Sequence, residues 1–74
     1  MNLEEIRQLK AEYMQALNSG NYKKALESNK KLYEEINKIY ERTQNKEEIS
    51  NLTLELMLLD ISRLNIETLL NINS

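Results

Sequence analysis

The chain has no proline in 74 residues and a single glycine, Gly20. Those two residues are what most often stop or bend a helix, by removing an amide donor or by releasing the backbone. A sequence without them can run in long helices, and only one position is suited to a left-handed turn. The spacing of apolar residues agrees. Leu3, Ile6, Leu9, Tyr13, Ala16 and Leu17 recur at the three-and-four step of one helix face. Asn18-Ser19-Gly20-Asn21 ends that pattern, and Asn21 is a good cap for a second helix.

That second helix is predicted from about Tyr22 to Arg42, with a seam of Tyr22, Ala25, Asn29, Leu32, Ile36 and Ile39, widened by Leu26, Tyr33 and Tyr40. Its other face carries Glu27 with Lys31 and Glu34 with Lys38, the favourable order at four-residue spacing. Asn29, the one polar residue of the seam, is expected at a partly wet rim. The alternative is a buried group that fixes register. Asn2 with Glu5 and Asn45 with Glu48 have capping-box spacing and mark the starts of the first and third helices. The expected fold is all-α: residues 1–74 form one helical domain with helices over about 3–18, 22–42 and 46–71. The first two make an antiparallel hairpin and the third is longer.

The third helix differs from the others because its apolar residues fall on two sides. At about 100° per residue, Ile49, Leu52, Leu56, Leu59, Ile66 and Leu70 lie together. Leu54, Met57, Leu58, Ile61, Leu64, Leu69 and Ile72 lie roughly opposite. A two-helix hairpin covers one such face. The other is left as an apolar patch of the size that marks interaction sites. Spacing alone does not say which face turns inward, and a third helix set deep between the other two would bury both. Leu56 shares its stripe with Ile49, close to the second turn where the hairpin end must pack, so Leu56 is expected to face inward and Leu54, Met57, Leu58, Ile61, Leu64, Leu69 and Ile72 are the candidate protein-binding residues. The partner is another protein or a second copy, so a homo-oligomer is expected. Charge divides to match: residues 1–46 carry nine basic and seven acidic side chains (net +2), and residues 47–74 carry one and five (net −4).

Histidine and cysteine are absent, which removes the commonest general base, the commonest metal ligand and all thiol chemistry. The carboxylate pairs Glu4-Glu5, Glu34-Glu35 and Glu47-Glu48 diverge by about 100° on a helix. There is no glycine-rich phosphate loop and no nucleophile–base set. No catalytic, cofactor-binding or metal residues are expected. Lys23-Lys24 and Lys30-Lys31 are interleaved with glutamates in an acidic protein, so no nucleic-acid surface is expected either. The tyrosines Tyr13, Tyr22, Tyr33 and Tyr40 read as core-edge residues with wet hydroxyls. The start, Met1 to Glu5, lacks the basic and apolar regions of a secretory signal. The most apolar run, Leu52 to Ile61, is too short to span a bilayer and contains Glu55 and Asp60. The expectation is a cytoplasmic protein without a membrane partner, from a bacterium or phage with an AT-rich genome.

Three resemblances bear on function. Ser19 to Glu27 (SGNYKKALE) resembles the middle of one tetratricopeptide repeat, which implies a helical hairpin. The hairpin also resembles small sporulation aspartyl-phosphate phosphatases, whose signature would fall on Asn29 to Tyr33. The aspartate of that signature is missing here, so the activity is not implied. Over the whole chain the layout is similar to flagellar export chaperones of the filament-cap protein. Leu58-Leu59-Asp60 and Ile66-Glu67-Thr68-Leu69-Leu70 resemble the pattern of that family's third helix. This resemblance implies a non-enzymatic, adaptor or chaperone-like protein that holds an apolar helical segment of its partner. Within these 74 residues there is no counterpart to that family's fourth, autoinhibitory helix. Two other functions suit the same features: a phage or mobile-element inhibitor that blocks a host surface, and a purely structural helical oligomer.

Overall fold

The computed structural model describes residues 3–72 and contains three α-helices with no strand among them. These are α1 (Leu3–Asn18), α2 (Tyr22–Arg42) and α3 (Lys46–Ile72), the last being the longest at 27 residues. Each break is built by the residue types that suit it. Gly20 sits at φ +76°, the left-handed conformation that costs glycine nothing. Its amide donates to the Leu17 carbonyl (3.2 Å), and the Asn21 amide donates to Ala16 (2.9 Å). That pair of bonds is the Schellman closure, which satisfies carbonyls orphaned at a helix end. Asn21 Oδ1 then accepts from the Lys24 amide at 3.3 Å, capping α2 in turn. At the second break Asn45 Oδ1 accepts from the Glu48 amide at 3.1 Å and opens α3. The Asn2 cap expected for α1 lies outside the described residues.

α2 is the centre of the molecule. It packs on α1 along one side and on α3 along another, whereas no Cα of α1 comes within 8 Å of one in α3. Both connections are short, so α1 and α3 each run antiparallel to α2 and parallel to one another. The result is an open three-helix arrangement, 43 × 21 × 15 Å in extent, in which α1 and α3 both lie against α2 without packing on each other. Its core is Ile6, Tyr13 and Ala16 from α1, Ala25, Leu32 and Ile36 from α2, and Leu56, Leu59 and Ile66 from α3. Leu9, Leu17, Tyr22, Leu26, Tyr33, Ile39, Leu52 and Leu70 pack around it, half-buried. The seams expected for α1 and α2 are thus the buried or half-buried ones, except that Leu3 at the start of α1 is 72% exposed and Tyr40 near the end of α2 is exposed too.

Asn29 is not at a wet rim. It is 1% exposed, in the middle of the α2 seam. Its Nδ2 donates to the Leu59 carbonyl of α3 at 3.0 Å and to the Tyr13 hydroxyl of α1 at 3.4 Å. This corrects the sequence reading for two residues, because Tyr13 is buried as well and its hydroxyl faces the amide rather than water. The cause is geometric: α1 and α3 approach α2 from two sides at the same level and close over position 29. Among the described residues no buried side-chain nitrogen or oxygen lacks a partner. The surface ion pairs also differ from expectation, as Lys38 reaches Glu35 three residues back (3.2 Å) rather than Glu34. Exposed pairs of this kind contribute ~0–1 kcal/mol, so the choice has little structural consequence.

The Asn29 geometry sets an expectation for stability. Asn29→Ala deletes both bonds and leaves the Tyr13 hydroxyl buried without its donor, which costs about 1–3 kcal/mol. A domain of this size has about 4–11 kcal/mol in all. Urea denaturation followed by circular dichroism is expected to show a large fall in midpoint for Asn29→Ala and a smaller one for Tyr13→Phe. An unchanged midpoint for Asn29→Ala would remove the junction from the account of the fold.

Candidate protein-binding face

The two faces of α3 follow from its spacing and from having a single neighbour. Positions 49, 52, 56, 59, 63, 66 and 70 repeat in alternating steps of three and four, the period of a helix seam. Leu56, Leu59 and Ile66 are buried there against α2, and Ile49, Leu52 and Leu70 are half-buried beside them. Leu56 therefore faces inward, as expected from its sharing a stripe with Ile49 near the second turn. Arg63 holds the remaining seam position, where the sequence offers no apolar residue. Its guanidinium turns aside to Asp60 (3.7 Å) and Glu67 (3.1 Å) on the same helix. A long side chain can cover apolar surface with its stem while its charge stays wet.

On the other side lie the candidate binding residues. Leu54, Met57, Leu58, Ile61 and Leu64 are each 54–57% exposed, Ile72 is 72% exposed and Leu69 37%. All seven are thus at the surface, on one side of one helix. The same side carries no charge over a long stretch. Between residues 50 and 72, Glu55, Asp60, Arg63 and Glu67 all lie more than about 80° around the helix from Leu54. The strip contains only apolar residues and the uncharged Ser50, Asn51, Ser62, Asn65 and Thr68.

One edge of the strip runs into an open groove of about 230 Å³ between α1 and α3. Leu32 and Ile36 of α2 form its floor, Tyr13 and Met14 of α1 one wall, and Leu58 and Leu59 of α3 the other. Lys10 Nζ and a Glu55 carboxylate oxygen, 2.8 Å apart, bridge the two outer helices at this groove. The pair realises the charge asymmetry between the hairpin and the third helix. Sequence reasoning did not find this groove, but Met14 carried a signal. It lies off the α1 seam, it is apolar, and it is 53% exposed.

Among the described residues no group of three or more carboxylates, histidines or cysteines is placed to hold a metal. The tyrosines do not converge either: Tyr13 is buried on α1, while Tyr22, Tyr33 and Tyr40 are spread along α2 with rising exposure towards Tyr40. No helix among these residues is long and apolar enough to cross a membrane. No protein family, curated protein or solved structure matches the chain.

The two faces should respond differently to the same substitution. Truncating a packed leucine costs ~2–5 kcal/mol, and burying a carboxylate in its place costs more. Leu56→Glu is therefore expected to abolish cooperative unfolding. Leu58→Glu is expected to keep native helicity by circular dichroism, because its side chain already meets solvent. Equal loss of helicity in the two variants would show that both faces are structural.

Proposed function

We propose that this chain is a non-enzymatic protein-binding module, of adaptor or export-chaperone type, that holds an apolar helical segment on the outward face of α3. The observation that carries the reading is the uncharged strip from Leu54 to Leu64, more than half exposed along its length. Monomeric soluble proteins rarely leave contiguous apolar surface of this size uncovered unless it is an interaction site. A helix suits the strip better than a strand or a flat loop. The strip is straight, one helix wide, and flanked by a groove into which the side chains of a second helix can insert. Its lack of charge favours an occupant whose contacting residues are apolar and neutral. The resemblance of the helix pattern to filament-cap export chaperones supports the same reading, since that family grips apolar helices of its clients.

The test uses a synthetic amphipathic helical peptide with a leucine and alanine seam, titrated into the isotope-labelled protein. Shift changes are expected at Leu54, Leu58, Ile61 and Leu64, and at Met14 across the groove. They should be lost in Leu58→Glu and absent for a peptide of the same composition in scrambled order. Binding that survives Leu58→Glu, or that maps to the α2 surface, would refute the assignment of this face.

A further inference from the structure

We infer that the helical segment covering the outward face of α3 is α3 of a second copy of this chain, laid antiparallel, with the two-fold axis level with residue 59. The inference rests on the reading that this face binds protein, and it names the occupant.

Surface area is the first argument. A compact monomer of 8.8 kDa exposes about 4,800 Å². This chain exposes 5499 Å². The excess of about 700 Å² is close to the ~800 Å² that each partner contributes to a stable protein interface. The surplus thus has the size of one half of a dimer contact, and the seven exposed apolar residues on one side of α3 are the apolar surface available to make it.

The order of residues along the strip is the second argument. Ser50 and Asn51 precede an unbroken apolar block of Leu54, Met57, Leu58, Ile61 and Leu64, and Asn65 and Thr68 come after it. The block is centred on residue 59. Two copies laid antiparallel about that centre bring Leu54 level with Leu64 and Met57 level with Ile61. The same register sets Asn65 and Thr68 of each copy against the Ser50–Thr53 segment of the other. Over this central block apolar meets apolar and polar meets polar, as an isologous contact requires, while Leu69 and Ile72 fall at its ends, level with Ile49 and Lys46 of the other copy.

Charge selects the orientation. Residues 47–74 are net acidic, which would oppose self-pairing if the charges lay on the contact. They do not, because every charged residue between 50 and 72 lies off the strip. Glu47 is the nearest acid on this side, about 20° from the line of Leu54. Parallel pairing would set Glu47 against its own copy and align the two helix dipoles. Antiparallel pairing sends the two Glu47 carboxylates to opposite ends of the contact and opposes the helix dipoles, although each Glu47 then lies near the negative C-terminal end of the other helix.

The chain has no cysteine, so single-cysteine variants report pairing cleanly. Sedimentation of the unmodified protein at tens of micromolar is expected to give twice 8.8 kDa. Ile61→Glu should give the single mass with helicity retained. Leu54→Cys and Leu64→Cys, mixed from the unfolded state, refolded together and treated with a short bis-maleimide, should yield the mixed cross-linked dimer. Leu54→Cys alone should not cross-link, since its two copies would lie about 15 Å apart along the axis. Efficient self-cross-linking of Leu54→Cys would overturn the antiparallel orientation. A single-chain mass for the unmodified protein, or an Ile61→Glu variant that stays dimeric, would overturn the second-copy proposal. The protein-binding reading would fail separately, by loss of helicity in Leu58→Glu.

Discussion

The Asn29 amide is the one interaction on which the arrangement of all three helices depends. α1 and α3 have no backbone contact, so their placement relative to each other passes through α2. Apolar packing restrains a helix through shape, and a buried amide adds a directional restraint. Moving α3 by one turn would carry the Leu59 carbonyl about 5.4 Å away and leave the Nδ2 group without that partner. The cost of an unsatisfied buried group, about 1–3 kcal/mol, is a large share of what so small a domain can have. The Tyr13 hydroxyl imposes the same restraint on α1. With the register fixed, Leu56, Leu59 and Ile66 are committed to the core.

That commitment determines the other face. α3 has one neighbour, and a helix with one neighbour buries one stripe. Its second stripe is apolar and lies on the side of α3 turned away from α2, where neither α1 nor α2 covers it. The outer helices are bridged by the Lys10–Glu55 pair and separated by a groove with an apolar floor.

Much of the architecture was legible because few residues could have stopped a helix. Gly20 and the asparagines at 21 and 45 fall where the helices turn, and their capping bonds are the ones their side chains are suited to make. The two-sided character of α3 was legible too, since spacing sorts its apolar residues without reference to any neighbour. What spacing does not carry is the position of α1 relative to α3. Hence Asn29 was read as a rim residue: from α2 alone it is one polar position in a seam, and only the convergence of Tyr13 and Leu59 on it accounts for its burial. The groove was illegible for the same reason, though Met14 stood off its seam. Ion-pair choice on the α2 surface was not legible, because the alternatives differ by less than a solvated side chain's own conformational freedom.

The central claim is that one face of α3 is spent on folding and the other is free for association. It is tested most directly by methyl-resolved NMR of the Ile61→Glu chain, with a soluble paramagnetic agent added. The account predicts strong relaxation enhancement for the methyl groups of Leu54, Leu58 and Leu64, and weak enhancement for Leu56, Leu59 and Ile66. Similar enhancement of the two groups in a folded chain would contradict it.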